Sequence, residues 1–414
     1  MLEKEILSFI FACSCVIILP IYVWFLPPLM VLWGTSRILE SHQKGTLQFP
    51  LNNYLTWLFI LFIISYLWQL VSITYSDNIK LGWNNLFSRL SLLLFPFVLV
   101  IPGERVLKNV KLLLKLFAGS TALFILFCFL YSFYRSVSFQ NGLLVYNPHP
   151  LEGYWMSYYY GSYLSVNQHP SYLSMYVIIS VFIALESWFD KKLKITERIA
   201  WLVISVSLLI PIYFLSSRSG ILTIILLVPI YFFFKFRKKR KGLILVLSIL
   251  LILVALYPII HSNERVKLVL NEVSDGSLKQ KAIQDGRVII WRSALSIVKN
   301  NLVFGVGIGD GRTELLKEYK KIGNKDLIEN NYNVHNQFLE ILLENGIIGL
   351  IFFLAILVCM VTIIFFNKNL LYGMFVIMML VFFMFETILY RLAGVAFFSL
   401  FSFLLLYIPD QPVE

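Results

Sequence analysis

A histidine stands at the polar entrance to a strongly apolar run, in the stretch "NVHNQFLEILLENGIIGLIFF" at 333–353. It is one of only five histidines in a chain of 414 residues. An imidazole titrates near neutral pH, so His335 could take a proton from a reacting hydroxyl group. The other interpretation is a helix that begins at His335 and Asn336, with the histidine solvated beside its cap.

The same stretch is too long for one membrane-spanning helix and contains a natural break at Gly346. A glycine there can adopt the left-handed conformation that ends a helix. This predicts a short surface helix over 335–344 and a membrane-spanning helix over 346–366. Glu340 and Glu344 would then lie on the water-facing side of the short helix.

A single arginine, Arg218, interrupts two apolar runs in "YFLSSRSGILTIILL". A charge at mid-membrane costs about 2.5–3.5 kcal/mol, and less near the interface. The arginine could extend to the lipid headgroups, or it could bind an anion together with a helix N-terminus. Three serines of the same turn offer further hydrogen-bond donors: Ser216, Ser217 and Ser219.

Two further arginines, Arg287 and Arg292, lie in "DGRVIIWRSAL". Guanidinium groups bind phosphate oxygens in pairs and stay charged, which suits a diphosphate ligand. The glycine-rich run "GVGIGDG" at 305–311 follows no strand and opens no βαβ unit, so it is not a dinucleotide-binding motif. It is interpreted as a flexible bend between surface helices.

His169, in "VNQHPSYLSMY", precedes a proline that marks the first turn of a helix. It could cap that helix, or it could bind a substrate. Glu386 and Arg391 flank a short turn, where a local ion pair is the simple interpretation. The sequence has no metal-binding or nucleotide-binding motif, and we expect neither a metal nor a cofactor.

The elements that position these residues are membrane helices. Hydrophobic residues make up 59% of the chain and charged residues 14%, with a mean hydropathy of +0.78. Soluble domains average about 25% charged residues, so we expect an all-α polytopic membrane protein. The net charge of +12 is concentrated between apolar runs, where it is typical of membrane topology and not of nucleic-acid binding. About twelve spans are predicted, at roughly 6–20, 22–39, 54–75, 88–102, 110–133, 170–189, 199–216, 218–235, 242–261, 346–366, 370–386 and 388–408.

The distribution of Lys and Arg predicts the orientation. The run "KFRKKRKG" marks the cytoplasmic side, and counting spans outward from it places both termini there. The hydrophilic segment 262–345 falls on the other side, where we expect amphipathic helices at the membrane surface, with Val288, Trp291, Leu295 and Val298 on one face. The predicted organisation is therefore helices over 1–261, the outer segment 262–345, and helices over 346–414.

The predicted outer face gathers arginines and at least one histidine above the bundle. Such a face suits a lipid-linked donor that carries a diphosphate. The histidine would take the proton of an acceptor hydroxyl, and the arginines would hold the departing diphosphate.

Three stretches together resemble the O-antigen ligase and polymerase superfamily of bacterial membrane glycosyltransferases. They are "LSSRSGIL" at 215–222, "GRVIIWRSALSIVKNNLVFGVGIGDG" at 286–311 and "VHNQFLEILLENGIIGLIFFL" at 334–354. The resemblance implies a metal-independent, inverting transfer of a polysaccharide from undecaprenyl diphosphate, on the periplasmic side of the inner membrane. It implies that His335 activates or positions the acceptor and that Arg218 and Arg287 bind the diphosphate, with Arg292 as a further candidate.

The resemblance does not identify the acceptor. An O-antigen ligase, the first expectation, transfers the glycan to lipid A–core oligosaccharide. A polymerase would transfer a growing chain to another lipid-linked repeat, and some relatives glycosylate proteins. A transporter of lipid-linked glycan is the alternative outside enzymes, but transporters tend to have internal repeats and polar sites at mid-membrane, and neither is evident in the sequence.

Overall fold

The computed structural model describes residues 2–44, 54–101, 103–149, 157–236 and 286–408. These residues are mostly helical, and the strands among them pair in one antiparallel hairpin, β1 (Val137–Gln140) with β2 (Leu143–Tyr146). The all-α architecture predicted from composition is confirmed.

The helices of the first four described ranges are α1 (Leu2–Ile21), α2 (Leu26–Lys44), α3 (Tyr54–Ser72), α4 (Ile79–Ser88), α5 (Ser91–Val100), α6 (Glu104–Lys108), α7 (Val110–Ser136), α8 (Pro170–Phe189), α9 (Ile195–Ser207), α10 (Ile210–Phe214) and α11 (Arg218–Phe236). Those of the last range are α12 (Gly286–Asn300), α13 (Gly311–Ile322), α14 (Lys325–Asn330), α15 (Gln337–Asn367), α16 (Leu370–Phe385) and α17 (Leu392–Leu404).

Seven helical segments of the described ranges are long and apolar enough to cross a membrane, and three more apolar helices are shorter. The seven are Tyr54–Tyr75, Ile79–Val100, Val110–Ser136, Pro170–Phe189, Ile195–Phe214, Arg218–Phe236 and Gln337–Asn367. The polytopic membrane fold is thus confirmed. The predicted span 242–261 lies outside the described residues.

Helix α8 forms the centre of the bundle. Its sequence is apolar on nearly every side, as expected of a helix surrounded by others, and almost all of its residues are buried. It packs against α7 and α9, and the hydroxyl of Tyr176 donates a 2.9 Å hydrogen bond to the carbonyl of Ala393 near the start of α17.

Charged side chains define one end of this bundle. Near the C-terminal end of α8, Lys111 pairs with Asp190 at 3.2 Å and Lys235 pairs with Glu186 at 2.8 Å. The N-terminal end of α8 instead meets the turn that joins α16 to α17, where Ser171 contacts Glu386. We call this second end of the bundle the histidine end, because His169 and His335 lie there.

Helices α12, α13 and α14 form a small apolar core of their own against the first part of α15. The predicted amphipathic helices are therefore confirmed for residues 286–330. The predicted apolar face of α12 is wrong in part, because Leu295 is 47% exposed, whereas Ile290, Ala294 and Ile297 are buried. The α12 side chains that pack on α15 are displaced around the helix from the face that the apolar spacing indicated.

Candidate functional site

His335 lies in a tight loop immediately before α15. Its φ of 50° is unusual for a residue other than glycine, and its backbone N–H donates a 3.2 Å hydrogen bond to Oδ1 of Asn333. Asn336 is the N-cap of α15 and accepts a 2.9 Å hydrogen bond from the N–H of Leu339. The predicted cap is confirmed for Asn336, and it fixes His335 at the end of a rigid helix.

The imidazole of His335 faces a carboxylate. Its Nδ1 lies 3.3 Å from Oε2 of Glu386, and the two side chains are 24% and 17% exposed. The other carboxylate oxygen, Oε1, accepts a 2.9 Å hydrogen bond from the hydroxyl of Ser171. The simple interpretation of a local Glu386–Arg391 ion pair is therefore replaced by a contact across 51 residues of sequence.

The carboxylate of Glu386 is held in its charged form. Burial alone would raise its pKa, but the hydrogen bond and charge of His335, together with His169 and Ser171, bring the pKa below its usual value. Glu386 is therefore ionised at neutral pH, next to an imidazole.

His169 caps α8, as one of its two sequence interpretations predicts. Its Nδ1 accepts a 3.3 Å hydrogen bond from the N–H of Ser171, which leaves the proton of a neutral ring on Nε2. His169 is partly open to solvent, but the atoms packed around its ring disfavour the charged form and lower its pKa, and the nearby Arg391 and His335 add to that shift against the opposing charge of Glu386. His169 is thus a neutral hydrogen-bond donor beside the His335–Glu386 pair.

Arg218 is the exposed first residue of α11, at the histidine end of the bundle, where Gly220 packs against Ser174 of α8. The neighbouring serine hydroxyls are occupied locally. Ser217 Oγ accepts a 3.2 Å hydrogen bond from the N–H of Gly220, and Ser216 Oγ bonds to the hydroxyl of Tyr160 at 2.7 Å. These serines shape the turn, and the arginine alone projects from it.

The two other arginines predicted to bind the diphosphate, Arg287 and Arg292, lie on α12. The indole N–H of Trp291 donates a 2.9 Å hydrogen bond to the carbonyl of Val334, which joins α12 to the loop of His335. Arg287 precedes Trp291 by four residues, so it shares that helical face and is half-buried. Arg292 is exposed. The structure thus brings His335, His169 and Asn336 together and puts Arg287 on the face of α12 that meets their loop.

The expectation that Glu340 and Glu344 face water is wrong. Both are 1% exposed, because the first part of α15 lies on the bundle. Nη2 of Arg89, from the junction of α4 and α5, lies 2.8 Å from Oε2 of Glu344, and Nη1 donates to Gln69 at 2.9 Å. The sequence does carry a signal for Arg89, since it is a lone arginine beside an apolar run, as Arg218 is.

The interpretation of 305–311 as a flexible bend is also wrong. The break at Gly346, where φ is 63° and ψ is −167°, leaves carbonyl groups of α15 without helical partners. The N–H groups of Val306 and Gly307 donate to the carbonyls of Leu343 and Glu344, both at 2.9 Å. The glycine-rich run is therefore a close-packed cap on the break, with no space for Cβ atoms at its glycines.

Metal-ligating side chains are not clustered in the described ranges. No group of three or more His, Cys, Asp or Glu side chains there could hold a metal ion.

Comparison with known proteins agrees with this geometry. Residues 202–354 match the model of the O-antigen ligase family, and the matched range contains Arg218, α12 and the His335 loop. No curated protein matches the chain. The family implies a glycosyltransferase-like activity on lipid-linked glycan and acceptor substrates. The resemblance to the O-antigen ligase and polymerase superfamily, recognised from three short stretches, is confirmed over residues 202–354, which carry an O-antigen ligase family domain.

Proposed function

We propose that this protein is an O-antigen ligase, which transfers a polysaccharide from undecaprenyl diphosphate to a hydroxyl of lipid A–core oligosaccharide. In this proposal the protein crosses the bacterial inner membrane with both termini in the cytoplasm, and the site faces the periplasm. The observation that carries the proposal is the partly exposed His335 imidazole, paired with Glu386 at the same end of the bundle as Arg218.

The chemistry follows from the two nitrogens of the imidazole. With the Nδ1 proton directed at Glu386, Nε2 can accept the proton of the acceptor hydroxyl as its oxygen attacks the anomeric carbon. The bond from that carbon to the diphosphate oxygen breaks on the opposite face, so the anomeric configuration inverts. The glycan is then bonded to the acceptor, and the lipid diphosphate leaves with its electron pair.

Arginine is suited to the leaving group. Arg218 and Arg287 would neutralise the charge that develops on the diphosphate, and Arg292 could contact it from the exposed side of α12. His169 and Asn336 would contact the sugars or help to position the acceptor. Guanidinium groups supply the positive charge in this scheme, so the proposed transfer is independent of metal.

Variants test the residues in liposomes that contain purified protein, lipid-linked glycan and lipid A–core. Because a general base contributes about 10²–10⁴-fold, H335A should lose transfer by that factor. R218A should also impair transfer, because it removes a contact to the diphosphate of the donor. K108A, which changes an exposed lysine on α6, is the control and should transfer at the wild-type rate. Full transfer by both H335A and R218A would refute the site.

A strain that lacks the gene tests the acceptor. Bare lipid A–core, with long polymer accumulating on the lipid carrier, is the result expected of a ligase. Core with a single repeat and no long chains would instead identify a polymerase, which uses the same donor. A lipopolysaccharide profile that is the same with and without the gene would contradict both and would favour another acceptor such as protein.

A further inference from the structure

The carboxylate of Glu386 connects the His335 loop to the start of α8. We propose that Glu386, held by Ser171, is a positioning residue that keeps the proton of His335 on Nδ1 and directs the Nε2 lone pair to the acceptor hydroxyl. This inference rests on the proposed function, because it gives Glu386 a role only if His335 is the base.

The two carboxylate oxygens have separate partners. Oε2 faces Nδ1 of His335 at 3.3 Å, and Oε1 accepts the hydroxyl of Ser171 at 2.9 Å. Ser171 is the second residue of α8, so the carboxylate also lies near the positive end of a buried helix. Both contacts favour a charged carboxylate in one orientation, which accepts the Nδ1 proton of a neutral imidazole.

The distance between His335 and Glu386 does not depend on their contact alone. Hydrogen bonds join the end of α16 and the turn after it to the His335 loop. Asn333 donates to Thr387 at 2.6 Å, and Asn336 donates to the carbonyl of Met384 at 3.2 Å. A third runs from the N–H of Leu389 to Gln337 at 2.7 Å. A substitution at Glu386 therefore leaves three direct links in place, and the turn keeps its position.

Other charged and titratable groups surround the pair. They are His169 before α8, Arg391 at the start of α17, Tyr332 beside the imidazole, Tyr390 in the turn with Arg312 of α13 over its ring, and Tyr172 of α8, which is also near Glu340 of α15. Of the carboxylates named here, Glu386 is the one within 4 Å of the imidazole of His335. It stabilises the imidazolium that forms as the proton is taken, so its removal should slow the proton transfer to Nε2.

The test is the pH profile of transfer in the liposome assay. E386Q should transfer about 10²–10⁴-fold more slowly, because an amide neither stabilises the imidazolium nor enforces the tautomer. Its acidic limb should move to lower pH, since the base loses a neighbouring negative charge. E386D keeps the charge and should recover part of the rate, with the acidic limb near that of the wild type. S171A should lose about tenfold, as expected for one hydrogen bond to a charged group.

The matched control is E318Q, which changes a carboxylate of α13 that pairs with the exposed Lys321 and should leave rate and profile unchanged. Unfolding midpoints of all variants separate folding defects from lost positioning. Suppose that H335A is inactive, but E386Q keeps the acidic limb of the wild type and a rate within a few-fold of it. That result would overturn the positioning role of Glu386 alone. Full activity of H335A would instead overturn the assignment of His335 as the base, and absence of transfer by the wild-type protein would overturn the proposed function.

Discussion

His169 links the start of α8 to the electrostatics of the His335–Glu386 pair. Its neutral ring caps the helix, and its pKa lies below the ordinary value of 6.5 because the atoms packed around this partly exposed ring disfavour the charged form. The unfolded chain therefore binds a proton at this residue at higher pH than the folded chain does. The stability that depends on neutral His169 is complete above about pH 6.5 and is lost as the pH falls below it.

H169N should reduce this acid sensitivity, because asparagine caps a helix equally well and does not titrate. The measurement is the thermal unfolding midpoint in detergent at pH 7.5 and pH 5.5. The difference between the two midpoints should be smaller in H169N than in the wild type. H149N, which changes an exposed histidine, should keep the wild-type difference. Equal acid sensitivity in all three proteins would contradict the prediction.

For single residues, the sequence identifies those that begin a helix better than it identifies the side chains that they contact. Asn336 and His169 are recognisable because polar residues beside a helix start have few structural roles. The partner of His335 is not recognisable, because Glu386 lies 51 residues away and local spacing favours a pair with Arg391. The predicted positions of Glu340 and Glu344 are wrong for the same reason, because Arg89, which pairs with Glu344, is far from it in the sequence.

Among the helices, α15 determines the position of His335 through its break at Gly346. The predicted break at Gly346 is confirmed, and the residues on either side of it are hydrogen-bonded to the segment 302–307. The N–H of Ile347 donates to the carbonyl of Leu302 at 2.8 Å, and the N–H of Val306 donates to that of Leu343. The short segment before the break is thus fixed in direction by backbone contacts, which spacing alone does not indicate.

G346A should destabilise the protein and impair transfer. A Cβ at this position would collide with the carbonyl of Val303, and the positive φ strains any other residue by about 1–3 kcal/mol. G119A is the matched control, because Gly119 lies inside α7 with no atoms near its Cβ position, and alanine favours a helix by up to about 1 kcal/mol. Unfolding midpoints measure both effects. A midpoint for G346A at or above that of wild type would show that the break tolerates a side chain.

For the whole molecule, composition and periodicity predict the all-α membrane bundle because long apolar runs have few alternatives in a bilayer. They predict the arrangement of the helices less well. The segment that aligns with the span predicted at 88–102 begins earlier, at Ile79, and consists of α4 and α5. Arg89 lies at that junction, and its position depends on contacts with Gln69 of α3 and Glu344 of α15, which form only when these two helices pack together.

The pair of Arg89 and Glu344 connects α15, the helix that begins at the candidate site, to the bundle. Its side chains are 5% and 1% exposed, so R89M would leave a buried carboxylate without its partner, at a cost of about 3–5 kcal/mol. R89M/E344M should recover most of that loss, because both buried charges are gone. K108M, which breaks an exposed pair, should cost less than about 1 kcal/mol. Unfolding free energies in detergent measure all three. Equal losses in R89M and R89M/E344M would mean that packing of the arginine, and not its charge, holds α15 on the bundle.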